Sequence, residues 1–189
     1  LDGNCRYLMG DFTVTHNTCT AVTVAEQCLD LGAHQKVLVI TRPGLRENFR
    51  KTIFDMAKVP RKPDGSLNYG QSAQCTGTSY TDRVPDRRSL SVEQVESKID
   101  RIIRSRYEFM GVGEFANVVE ALGSGPATLA VERLRQRFSN MVMIVDEAHK
   151  AVTGLSREMQ ARVNPFAVIE FWELTRSPNP DDYELTLMS

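Results

Sequence analysis

The densest chemical signal is Asp146-Glu147-Ala148-His149, which directly follows the apolar run Met141 to Val145. In open α/β sheets, ligands collect at the carboxyl ends of strands, and two adjacent carboxylates there suit work on phosphates. Asp146 can hold magnesium, usually through water, and Glu147 can polarise a water for attack on phosphorus. His149 can hydrogen-bond neighbouring elements and sense what occupies the site. A strand followed by a polar helix cap would give the same letters with no chemistry. The buried run just before the carboxylates favours the functional reading. Direct zinc ligation by Asp146, Glu147 and His149 is a third reading, weakened by their tight spacing and the want of a second histidine pair.

The elements that must position these groups follow from periodicity. Lys36 to Thr41 contains Val37-Leu38-Val39-Ile40, a continuous apolar run like Met141 to Val145. Such runs fit strands covered on both faces, as in a parallel sheet. Helical spacing marks Thr18 to Leu31, stopped by Gly32, and a face of Leu45, Phe49, Ile53 and Phe54. Val92, Val95, Ile99, Ile102 and Ile103 predict a strong amphipathic helix capped near Ser89 or Ser91. Phe115, Val118, Val119 and Leu122 predict another, ended by Gly123, and Leu129, Leu134 and Phe138 one more. Phe166, Ile169 and Trp172 suggest a helix before a closing strand at Leu185 and Leu187. Alternation of strands and helices predicts an α/β fold with a mostly parallel central sheet. Residues 59–90 break the pattern: Pro60, Pro63, Gly65, Gly70, Gly77 and Pro85 punctuate a long loop or insertion, of a kind often functional or mobile.

Composition bounds the class. The 189 residues, 41% hydrophobic and 25% charged, make one domain with that insertion rather than a disordered chain. A net charge of -1 excludes a global basic field for nucleic acid but leaves room for a local patch. No apolar run approaches the ~20 residues of a membrane helix, so no membrane partner is expected. Leu1 to Arg6 lacks the basic start and apolar core of a signal peptide. Cys5, Cys19, Cys28 and Cys75 form no C-x-x-C pair and are read as reduced, mostly buried thiols. The start at Leu1 and the finish on a strand predict a fragment of a longer chain.

Four stretches carry a family resemblance. Val145-Asp146-Glu147-Ala148-His149 resembles the Walker B (DEAH) motif of superfamily 2 helicases. Thr41-Arg42-Pro43-Gly44-Leu45, with Asn48-Phe49 behind it, resembles their motif Ia. Leu187-Met188-Ser189 resembles the start of motif III. Tyr107-Glu108-Phe109-Met110 followed by Phe115-Ala116-Asn117 is similar to a stretch in helicase-like proteins of large DNA viruses. The resemblance spans nearly the whole chain. It implies a first RecA-like P-loop NTPase domain, with helices on both sheet faces. It also implies a second RecA-like domain elsewhere in the full-length protein, and ATP and magnesium as cofactors. The activity implied is ATP-driven helicase or translocase movement on nucleic acid, DNA above all. An intracellular setting, in a virion or an infected host cell, goes with it. Asp146 would serve magnesium, Glu147 the hydrolytic water, and His149 would couple nucleotide to nucleic acid. Thr41, Arg42 and Pro43 would touch the nucleic-acid backbone, and Arg42 can grip a phosphate bidentately.

The phosphate loop departs from this pattern. A P-loop, G-x-x-x-x-G-K-[ST], curls backbone N–H groups around phosphate oxygens, with lysine on the β- and γ-phosphates. The corresponding segment here is Phe12-Thr13-Val14-Thr15-His16-Asn17-Thr18. Thr15 and Thr18 match as cofactor-binding positions, and the Thr18 hydroxyl matches as a magnesium ligand. Phe12, Val14 and His16 replace glycines, and Asn17 replaces lysine. A non-catalytic pseudo-ATPase scaffold that binds nucleic acid or protein is therefore the alternative.

Overall fold

A computed structural model describes residues 6–8, 14–146 and 185–187. The elements in chain order are β1 (Arg6–Leu8), β2 (Val14–His16), α1 (Asn17–Asp30), β3 (Lys36–Ile40), α2 (Arg46–Ile53), α3 (Ser79–Asp82), α4 (Val92–Arg106), β4 (Tyr107–Met110), α5 (Val112–Gly123), α6 (Ala127–Phe138), β5 (Met141–Val145) and β6 (Leu185–Leu187). Among the described residues no helix is long and apolar enough to cross a membrane. The chain divides into two compact units, one of residues 1–31 and 45–107, the other of residues 32–44 and 108–189.

In the second unit the two apolar runs become neighbouring parallel strands. β3 and β5 pair from Lys36 with Met141 to Ile40 with Val145. β6 adds to the other side of β5 in parallel, Met143 opposite Leu185 and Val145 opposite Leu187. The strand order is β4-β3-β5-β6. This is the parallel α/β sheet that the runs predict. Leu38 and Ile40 of β3 and Met141, Met143 and Val145 of β5 share one face by their two-residue repeat, and they pack with Phe115, Val119, Leu134 and Phe138 of α5 and α6. The rings of Phe115 and Phe138 meet edge-on at 5.6 Å between centroids. Truncating either to alanine removes a fully buried ring, a change that costs about 3–5 kcal/mol. Val37, Val39, Val142 and Ile144, on the alternate positions, are buried too. Between α6 and β5 the chain turns at Asn140, whose φ of 58° lies in the left-handed region that asparagine tolerates. The Asn140 carbonyl accepts the Gln35 N–H at 2.8 Å and so sets the register of the strand starts.

In the first unit α1 buries Ala21, Val22, Ala25, Cys28 and Leu29. α4 buries Val95, Ile99 and Ile103 and opens on a capping box: Ser91 Oγ accepts the Gln94 N–H at 3.3 Å, and Gln94 Oε1 accepts the Ser91 N–H at 2.9 Å. Arg50 joins α2 to α4, donating to Asp100 at 2.5 Å.

Two of the expectations, the reduced cysteines and an inward-facing Leu129, need correction. The 59–90 stretch is irregular for most of its length and is anchored within the first unit. It carries the one-turn α3 and a bridge between Arg61 and Leu67, and it buries Tyr80, Thr81 and Val84. Cys19 and Cys75 form a disulfide, with Cα atoms 5.4 Å apart, where reduced thiols were expected. Their sequence separation of 56 hides that proximity. Leu129 does not join the buried face of α6 and is 58% exposed; Ala130 takes the inward position. Tyr107–Met110 is a strand that follows α4 without an intervening turn. The helix predicted around Phe166, Ile169 and Trp172 lies outside the described residues.

Candidate functional site

The carboxyl ends of β3 and β5 lie side by side because the strands are parallel and in register, and this brings together two of the residues singled out in the sequence. The Asp146 N–H donates to the Ile40 carbonyl at 2.9 Å and extends the ladder one residue past β5. The Thr41 N–H donates to the Met110 carbonyl at 3.0 Å. With both backbones fixed, the Thr41 hydroxyl donates to Asp146 Oδ2 at 2.7 Å. Thr41 is fully buried and Asp146 half-buried. The hydroxyl therefore orients the carboxylate through one oxygen. A carboxylate held at a strand end in this way suits a hydrated magnesium ion.

Thr41 was expected to touch nucleic acid, and its side chain does not fit that role. It is buried, and its hydroxyl is engaged by Asp146. Arg42, Pro43 and Gly44 are exposed, and Pro43–Leu45 forms a short 3-10 helix leading into α2. Arg42 thus stands at the surface one residue beyond the threonine that positions Asp146. Glu147 and His149 lie outside the described residues. Among the described residues no group of three or more His, Cys, Asp or Glu side chains is placed to hold a metal.

Within the phosphate segment, residues 14–18 are strand and helix. Val14–His16 is extended and pairs antiparallel with Arg6–Leu8, with Tyr7 opposite Thr15, and α1 begins at the next residue, Asn17. Phosphate-binding loops need successive N–H groups converging on one point, whereas a strand sends them alternately to opposite sides. Thr15 sits mid-strand and Thr18 in the first turn of α1. A strand running directly into α1 at these residues does not fit the phosphates of ATP.

Sequence reasoning missed a second polar centre, in the first unit. Glu26 of α1 is buried, and its Oε1 accepts from the hydroxyls of Tyr80, at 2.6 Å, and Tyr107, at 2.7 Å. Its Oε2 accepts from Arg106 at 2.7 Å. Arg106 also reaches Asp30 at 2.8 Å, and Arg83 donates to Asp30 at 2.6 Å. Burial, followed by the Glu26 charge, pushes both phenols well above their ordinary pKa, so they remain protonated donors. A glutamate in an amphipathic helix reads as solvent-facing, so nothing in the sequence marked it.

The fold and site define an α/β protein whose acidic strand end is ordered by the neighbouring strand. Over 158 residues the chain is 26% identical to the protein named "Putative helicase 009L" from Frog virus 3 (isolate Goorha). The likeness covers 82% of this chain, and the chain spans 13% of that relative's length. No family model matches the chain, and no solved structure matches it. The similarity is to a helicase-like protein of viral origin.

Proposed function

We propose that the chain is the nucleic-acid-contacting first motor domain of a helicase or translocase, of the superfamily 2 type. The observation that carries this reading is the Thr41–Asp146 hydrogen bond at 2.7 Å. It links the surface turn bearing Arg42 to the acidic end of β5, the two features a motor must couple. Asp146 is the magnesium anchor in this reading, Glu147 the residue that directs water, and Arg42 the phosphate contact, with Pro43 shaping the turn. ATP is the nucleotide of that class. Residues 12–18 lack the chemistry to hold its phosphates, so nucleotide turnover by this chain alone is weak or absent. The likeness to a viral helicase-like protein supports the class, and DNA is the nucleic acid we favour.

A second reading is a non-catalytic scaffold that binds nucleic acid or protein, favoured by the β1–β2 pairing where a phosphate loop would curl. Magnesium-ATP titration separates the two. The test compares the chain, a restored variant (Phe12→Gly, Val14→Gly, His16→Gly, Asn17→Lys), and the restored variant carrying Asp146→Ala. Saturable binding gained on restoration and lost again with Asp146→Ala supports the motor reading. No gain on restoration overturns it and leaves the scaffold.

A further inference from the structure

The 59–90 excursion holds a cavity of about 480 Å3, within the ~300–1,000 Å3 typical of small-ligand sites. Its lining includes Arg61, Lys62, Arg87 and Arg88, together with Asn68 and Tyr69, and no carboxylate. Acids outside the lining offset part of that charge. Asp82 pairs with Arg87 at 2.9 Å, and Asp64, which accepts from the Ser66 N–H and hydroxyl, also attracts Lys62. Asp86 is paired away, with Lys98 at 2.6 Å. Lys62 and Arg88 are exposed and have no ion pair among the described residues. Arg87 Nε is buried without a hydrogen-bond partner among the described residues, although its other nitrogens bond Asp82 and the Val84 carbonyl.

The backbone that carries these cations is preorganised. The Lys62 N–H donates to the Ser66 carbonyl at 2.7 Å, and the Gly65 N–H to the Lys62 carbonyl at 2.9 Å. Gly65 has φ +81°, a conformation that excludes most side chains, and its carbonyl accepts from Arg61 Nη1 at 2.9 Å. The Asn68 N–H donates to the Pro60 carbonyl at 2.7 Å, closing the turn. Below it the Cys19–Cys75 disulfide and the buried Tyr80 hold the excursion to α1. With Arg87 already paired to Asp82, Arg61, Lys62 and Arg88 remain as cations gathered on this frame, an arrangement that favours an anionic ligand.

We propose that this cavity is a binding site for a nucleoside phosphate, presented free or as a link in a single strand. Arginine and lysine meet phosphate oxygens, and Tyr69 and Asn68 supply a ring and an amide beside them. The site is distinct from the Arg42 turn and does not depend on the helicase-like reading. The test uses the full chain and a Lys62→Glu/Arg88→Glu variant, with a melting curve to show that both fold alike. Fluorescence anisotropy reads a labelled oligothymidylate over a salt series, and calorimetry reads adenosine monophosphate. If the cavity holds a strand, the variant weakens oligonucleotide binding about tenfold or more, and the salt slope shrinks by about 1.4 for two lost phosphate contacts. If it holds the free nucleotide, calorimetric binding is lost in the variant. Should the double variant misfold, Lys62→Gln/Arg88→Gln replaces it, with the same losses expected in smaller degree. Binding of neither probe, or equal binding by wild type and folded variant, overturns the proposal.

Discussion

The hydrogen bond from Thr41 to Asp146 makes a quantitative prediction. Removing the hydroxyl with Thr41→Val keeps nearly the same volume in a fully buried position and takes away one donor to the carboxylate. Hydrogen bonds to charged groups contribute about 1.5–3 kcal/mol net, and neutral ones about 0.5–1.5. Because Asp146 is half-buried and water screens part of its charge, the expected coupling lies near 1–2 kcal/mol. The Thr41→Val effect alone is smaller, since valine also escapes the cost of burying a hydroxyl. A double-mutant cycle therefore isolates the pair better than either change. Urea unfolding at neutral pH is measured for wild type, Thr41→Val, Asp146→Ala and the double variant. Thr41→Ser retains the hydroxyl and should retain most of the coupling. A coupling below about 0.5 kcal/mol, the usual limit of additivity for independent sites, would refute the claim that the β3 turn and the β5 carboxylate act as one unit.

Two further predictions concern the first unit. The Cys19–Cys75 disulfide closes a loop with a separation of 56 residues, for which chain entropy gives about 4 kcal/mol of stabilisation. Cys19→Ser/Cys75→Ser should therefore unfold at markedly lower urea, and wild type with reductant should match it. Alkylation of denatured protein that labels both cysteines without reductant would contradict the bridge. Burial works to raise the Asp30 carboxyl pKa, but hydrogen bonds from Arg106 and Arg83 outweigh it and hold the group below the usual carboxylate value. A lowered folded pKa contributes stability above the unfolded pKa, about 4, and that stability is lost as pH falls through the folded value. Asp30→Asn should thus be less stable than wild type at pH 7, with the gap narrowing below about pH 4. A gap that stays constant down to pH 2 contradicts this account of the ion pairs.

The β3 and β5 strands were legible because both are unbroken apolar runs, a pattern produced when both faces of a parallel strand are covered. The α4 start was legible in Ser91, whose capping box is a local device. β4 was not, since the amphipathic pattern runs up to Arg106 and no glycine, proline or asparagine precedes Tyr107. Asp146 could be picked from its place after a buried run, but its orientation could not. The threonine that holds it lies 105 residues away, and only the sheet register joins them. Segment 12–18 shows a different limit. Side-chain chemistry alone argued against a P-loop, while the antiparallel pairing with nearby Arg6–Leu8 is made by backbone groups and has no marker among these side chains.

Glu26 has a bearing on how this domain can be shortened. A stretch rich in proline, glycine and serine invites excision by anyone seeking a minimal version. Yet Tyr80, which arrives with that stretch, supplies one of the three donors that keep the glutamate satisfied. Cutting it away would take one donor from a buried carboxylate, leaving Tyr107 and Arg106 to hold it, and strip Cys19 of its partner. The excursion is a keystone rather than an appendage, and a trimmed version would need both Glu26 and Cys19 redesigned before it could stand.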